Sequence, residues 1–226
     1  MKTLQLASAV LALSISSAYA NQNNTAEQFA AIHGSSGTTA FCGCSYSDWK
    51  LDESKSCRYY LPKNLDRTIE WYAPVKPKDL AKSRECWGKG GIKNCLTNDE
   101  AVKYMQADPL IYLPSEPNSL ELSGDLDIAD GNVGIPAYGN FCKSTISPAD
   151  KSIRLRKESK GDAARTIQYA VKRYNVETTY LSSTLEKWST DDPVDALECE
   201  KHARAVKVLG YGNPFVLKQC KSYTQQ

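Results

Sequence analysis

Histidine is scarce in this chain: His33 and His202 are the only two among 226 residues, and no Cys-x-x-Cys pair is present. Little remains from which to build a zinc site, which wants four closely spaced nitrogen or sulfur ligands. Net charge is also nearly absent. Without Lys2, 27 Lys and Arg stand against 26 Asp and Glu, so composition alone gives no strong electrostatic pull on nucleic acid. Long apolar runs are missing too. The longest, Leu4 to about Ile15, falls short of the ~20 residues that a membrane span needs. There is no internal repeat, heptad, low-complexity tract or clear linker, which excludes solenoids and coiled coils.

What is present begins with MKTLQLASAVLALSISSAYA: a basic Lys2, the short apolar run, then Ala18-Tyr19-Ala20, a small-x-small cleavage site. Residues 1–20 therefore read as an export signal, and the mature chain as periplasmic or secreted. About 206 residues remain, enough for one domain with a sizeable core. Eight cysteines follow: Cys42, Cys44, Cys57, Cys86, Cys95, Cys142, Cys199 and Cys220. An even count in an exported chain predicts disulfides, each typically worth about 2–4 kcal/mol. Eight cysteines allow 105 pairings, so the connectivity stays open.

Residues 21–40 are polar and rich in small side chains and read as a flexible N-terminal arm, with His33 a surface residue in it. From Phe41 to Pro77 the pattern predicts short strands and loops. Thr97-x-x-Glu100 has the form of a capping box and predicts a helix over Asn98–Gln106, stopped by Asp108-Pro109. Pro114 to Phe141 reads as a long loop region with brief strands, and Ser152 to Lys157 as a strand. Ala164, Ile167, Ala170, Val171 and Tyr174 recur at helical spacing over Gly161–Tyr174. Further helices are expected over Ser182–Trp188 and from Asp192-Pro193, with the aspartate as N-cap, to just before Gly210. The fold class is α+β: one disulfide-rich domain over 41–226, its helices concentrated in the C-terminal half.

Several blocks, taken in order, carry a family resemblance: FCGC (41–44), SCRYY (56–60), RTIEW (67–71), ECWGKGGIKNC (85–95), MQAD (105–108), KGDAARTIQY (160–169), ALECEKHAR (196–204) and GNPFV (212–216). The chain resembles the endonuclease I family, periplasmic or secreted bacterial nucleases that cut DNA and RNA with a divalent metal on a ββα-metal core. The resemblance runs from about Phe41 to Cys220, and all eight cysteines fall where active members have theirs. It implies that RTIEW is followed by a metal-binding glutamate and a histidine that activates water. Here those positions are Tyr72 and Ala73. The arginine implied at the scissile phosphate is Ile92, and the family's Asp-Leu-His-Asn-Leu is Asp108-Pro109-Leu110-Ile111-Tyr112. Asn118, in Glu116-Pro117-Asn118, is the one remnant of the implied metal-binding asparagine.

Phosphodiester hydrolysis needs a base near neutral pKa and a Lewis acid. Alanine supplies neither, and tyrosine is a poor ligand for a hard cation, so these letters predict a nuclease-like protein without the family's catalysis. No cofactor is expected. Magnesium or calcium is left to a remnant at Asn118 or to Asp125, Asp127 and Asp130, whose alternating carboxylates before Gly131 look like part of a calcium loop but equally like an acidic surface loop. The run Arg154, Arg156, Lys157 could touch phosphates, with the two arginines on one strand face, or be a solvated face. Tyr59, Tyr60, Tyr72 and Tyr112 could stack on bases or fill a core. The partner is expected to be nucleic acid or another envelope or secreted protein; a nuclease rebuilt around Glu70, Asn118 and the Asp125 to Asp130 loop is the competing reading.

Overall fold

Ile32 is fully buried on the first helix, α1 (Thr25–His33), in a stretch whose composition reads as a mobile arm. The computed structural model describes residues 25–52, 66–119, 126–131, 134–137 and 142–220; the export signal, Cys57, Tyr59, Tyr60 and Asp125 lie outside the described residues. The arm reading is corrected from Thr25 onward. Phe29, Ile32 and His33 share one helical face at i, i+3 and i+4, which is the shortest pattern able to dock a helix. His33 is buried, its Nε2 2.9 Å from the Pro109 carbonyl oxygen and its ring 4.3 Å from that of Trp71. Two large apolar residues and a histidine carry too little apolar signal to be seen in sequence.

After α1 come β1 (Gly37–Thr38), β2 (Ser45–Ser47) and β3 (Lys50–Leu51), an antiparallel meander in that order. Its second turn puts Asp48 and Trp49 at φ 48° and 65°, the left-handed pair of a two-residue hairpin. β4 (Glu70–Tyr72) then pairs antiparallel with β5 (Leu113–Ser115), aligning Tyr72 with Leu113 and Glu70 with Ser115. A third sheet holds β6 (Asp127–Ile128), β7 (Ile135–Pro136), β8 (Thr145–Ser147) and β9 (Ser152–Arg154) in the order β6-β9-β8-β7, with β6 parallel to β9. The strand expected over 152–157 thus stops at Arg154, because Lys157–Ser159 turns into the next helix.

Between β4 and β5 lie α2 (Pro77–Ala81), α3 (Gly91–Asn98) and α4 (Glu100–Gln106). The expected capping box at Thr97 is not the one used. Thr97 sits inside α3, and Asp99 caps α4 by accepting from the Ala101 and Val102 amides. The C-terminal half holds α5 (Lys160–Tyr174), α6 (Ser182–Asp191), α7 (Ala196–Leu209) and α8 (Pro214–Cys220). α7 starts at Asp195 with a full Asp195/Glu198 capping box, three residues later than the Asp192 cap predicted from sequence. Asp192 is occupied elsewhere: its carboxylate accepts the Gly161 amide, and its carbonyl lies 1.9 Å from where a Cβ on Gly161 would stand. Only glycine allows that approach at the start of α5.

α5 is the spine, burying Ala163, Ala164, Ile167 and Ala170 completely, with Trp188 of α6 fully buried beside it. Inside this core Arg165 donates to both Glu198 oxygens (2.7 and 2.6 Å), to Asp162 (3.2 Å) and to the Asp192 carbonyl (2.8 Å), tying α5 to α7. Disulfides join Cys42 to Cys142, Cys86 to Cys95 and Cys199 to Cys220, and Cys44 is also disulfide-bonded. α7 packs on α1, and Arg204 donates back to the Ile32 and His33 carbonyls at 2.8 and 3.2 Å, closing the C-terminus of α1 with a cation.

Burial, with Lys201 and Arg204 nearby, holds the His33 imidazole well below its ordinary pKa, so it docks neutral. An unfolded chain takes up that proton near pH 6.5, and the folded chain only at lower pH. This contribution to stability is therefore present above about pH 6.5 and is lost as pH falls toward the folded value. The stability advantage of wild type over His33→Gln, read as a difference in thermal midpoint, is expected to shrink between pH 7.5 and about pH 5. A constant difference across that range would show that His33 does not titrate on unfolding.

Candidate functional site

β4 is built by Glu70, Trp71 and Tyr72 against β5, and Pro74 ends it two residues later. Tyr72 points into the core. It is 2% exposed, and its ring meets Phe41 edge-on at 4.9 Å. Among the described residues its hydroxyl has no hydrogen-bond partner, and burial, with Tyr180 and Asp127 nearby, raises its pKa far beyond neutral pH. A phenol that stays protonated and faces inward is no metal ligand. Ala73 follows half-buried, and Ile92 on α3 packs against the same main core. The three positions that should carry the chemistry hold packing groups.

Glu70 and Asn118 are brought together, though not as two side-chain ligands. The Glu70 carboxylate accepts the Asn118 amide (2.9 Å) and the Ser119 hydroxyl (3.2 Å), so it closes a turn whose exposed Asn118 has φ 61°. Glu116 is fully buried; it accepts from the Thr39 hydroxyl and from the Cys42 amide at 2.9 Å, bracing the first disulfide segment. Asp127 receives Lys76 Nζ at 2.6 Å, and this lysine, 6% exposed, comes from the YAPVKP stretch itself. Asp130 receives Lys160 at 3.0 Å and the Trp188 indole at 3.2 Å, and the lysine hydrogen bond holds its pKa down to about 2. Each of these two carboxylates thus meets an ammonium group. Among the described residues no group of three His, Cys, Asp or Glu is arranged to hold a metal. The side chains at these positions do not fit a hard divalent cation, which needs several converging oxygens.

The basic run is largely consumed internally. Arg154 donates to Asp150 (2.9 Å), Ser152 (2.9 Å) and the Asp130 carbonyl (3.2 Å). Arg156 bonds Glu158 at 3.1 Å and lies against Gly43, 3.0 Å from where a Cβ would be. Past the end of β9, Arg156 no longer shares a strand face with Arg154; Lys157 is exposed. Tyr112 bonds the Gln106 carbonyl at 2.8 Å and packs on Phe29.

Sequence reasoning missed Lys76 and a mixed polar and apolar cavity of about 110 Å³ bounded by α1, β2, α5 and α7. Lys201 and His202 line it, the latter half-buried against Gly212. The spacing Glu198, Lys201 on one helix face was the available signal.

Compared with known proteins, the chain is 30% identical over 193 residues to an extracellular deoxyribonuclease of Aeromonas hydrophila, covering 81% of this chain and 82% of that one. The chain belongs to the endonuclease I family. A second relative, Endonuclease-1 of Buchnera aphidicola subsp. Acyrthosiphon pisum, is 30% identical over 202 residues, 84% of this chain and 77% of the relative. A periplasmic deoxyribonuclease of Aeromonas hydrophila is 30% identical over 194 residues, 81% and 80% of the two chains. The Endonuclease I family model matches residues 129–220. That endonuclease I segment contains the α5–α7 frame with Arg165 and Glu198, and it leaves out Tyr72, Ala73, Ile92 and Asn118.

Proposed function

We propose that this endonuclease I family protein is exported to the periplasm or beyond and acts without the family's hydrolysis, by holding nucleic acid. The observation that carries this is the inward, protonated Tyr72, whose hydroxyl has no hydrogen-bond partner among the described residues, at the position of the implied metal-binding carboxylate. Ala73 offers no base beside it, and loss of a general base alone costs about 10²–10⁴ in rate. No resident cofactor is proposed; a cation at Asp127 or Asp130 would have to displace Lys76 or Lys160. With a nearly neutral mature chain and two of the three basic-run side chains already paired, few phosphates are contacted, so binding is of modest strength and shallow salt dependence.

The test is plasmid DNA incubated with pure protein and magnesium or manganese. Intact plasmid is expected, together with a mobility shift at low salt that fades as salt rises. Cutting that disappears in Asn118→Ala would instead support a rebuilt metal-dependent nuclease. Intact plasmid with no shift at any salt would favour a protein partner in the envelope.

A further inference from the structure

We propose that Lys201 is the nucleophile of a small carbonyl-binding site: its amine opens on the cavity between α1 and α7 and condenses with small uncharged aldehydes to form an imine. The placement comes first. Lys201 lines the cavity with His33, Thr38, Tyr46, Asp162 and Leu197, and among the described residues its one hydrogen bond goes to the Tyr112 carbonyl at 3.1 Å. Among the described residues no carboxylate lies within ion-pairing distance of it, although the salt bridges elsewhere on the chain show carboxylates readily found by lysines. An under-partnered ammonium in a cavity is a costly arrangement, and it leaves the nitrogen lone pair available once the proton is gone.

The surroundings favour that loss. His33 from α1, Arg204 and Glu198 from α7, Asp162 from α5 and Asp108 beside the Pro109 turn face the amine. Burial outweighs the acids and pushes Lys201 down to about 8. At neutral pH roughly a tenth of it is free amine, against about one in a few thousand for an ordinary lysine. Asp162, partly buried beside Glu198, is held above the usual carboxylate range by burial and by that neighbouring acid.

The chemistry balances with these groups and solvent. The Lys201 nitrogen attacks the carbonyl carbon, the C–N bond forms, and the carbonyl π pair moves to oxygen, which takes a proton relayed from solvent by Asp162. The nitrogen then returns a proton to Asp162, the hydroxyl leaves as water with a second transferred proton, and C=N remains. One amine and one aldehyde give one imine and one water, with no oxidant or reductant. A half-open cavity of about 110 Å³ favours a small aldehyde over an aromatic one.

The experiment is reductive trapping on the full mature protein with glycolaldehyde and cyanoborohydride at pH 7, located by peptide mass mapping. Lys201 is expected to be labelled at least about tenfold faster than the mean of the other lysines, with a rate midpoint near pH 8, and benzaldehyde to show no such preference. Lys201→Met should abolish the fast adduct. Asp162→Asn should slow imine formation with the midpoint for Lys201 still below that of the other lysines, a readout that a loss of folding would not produce. Labelling of Lys201 at the rate of surface lysines, or a fast adduct surviving in Lys201→Met, would overturn the proposal.

Discussion

Arg165→Met is expected to lower the thermal midpoint by roughly 10 °C, corresponding to about 3–5 kcal/mol for breaking a buried charge network. The guanidinium is 1% exposed and holds both oxygens of Glu198 together with Asp162 and the Asp192 carbonyl. Removing it leaves two acids facing each other with their common cation gone, and detaches the start of α7 from α5. Two checks separate this cause from lost packing. The deficit should shrink as pH falls toward 5, because the abandoned carboxylates then take up protons. Replacing Glu198 by methionine in the same chain should recover part of the loss, since an apolar pair of similar volume tolerates burial better than half an ion pair. A deficit that ignores both pH and the second substitution would assign the effect to packing alone.

Reinstating the family letters by Tyr72→Glu, Ala73→His and Ile92→Arg together is expected to yield no DNA cleavage with magnesium and a loss of at least about 3 kcal/mol. Tyr72 is packed under Phe41 at 2% exposure, so a carboxylate there is taken out of water into the core. Its pKa would rise until it is protonated, and a protonated acid binds magnesium no better than the phenol did. Urea denaturation and a plasmid nicking assay on the same preparation check both halves. A folded, stable triple variant that cuts DNA would mean that the site was emptied rather than filled, and would remove the main support for a remodelled cleft.

How much of this was visible in the letters depends on the range of the interaction involved. α5 and α6 follow from apolar periodicity, and their expected bounds are nearly those observed, because a helix face is a local pattern. α1 was misread because its docking rests on Arg204 and Pro109, distant in sequence. The start of α7 was misplaced because two aspartates compete for the cap, and what removes Asp192 is the Gly161 amide, 31 positions away. At the site, the replacements at 72, 73 and 92 were legible from the resemblance. What fills the place was not: Lys76 meets Asp127 only because the fold brings the start of α2 beside β6. Arg154 and Arg156 looked available for phosphate because sequence shows charge without its partners.

The Cys42–Cys142 bridge sets the timing of maturation. Its cysteines are separated by 100 positions, against 9 for Cys86–Cys95. With synthesis at about 5–20 residues per second, an exported chain presents Cys42 to the oxidising compartment roughly 5–20 s before its partner arrives. During that interval Cys44, Cys57, Cys86 and Cys95 have all emerged, so oxidation before Cys142 appears would place Cys42 in wrong pairs that thiol exchange would have to undo. The clasp of Arg204 on α1 forms later still. The protein is therefore a late-maturing client of its export route, and its yield in a host should depend on disulfide isomerisation more than on oxidation itself.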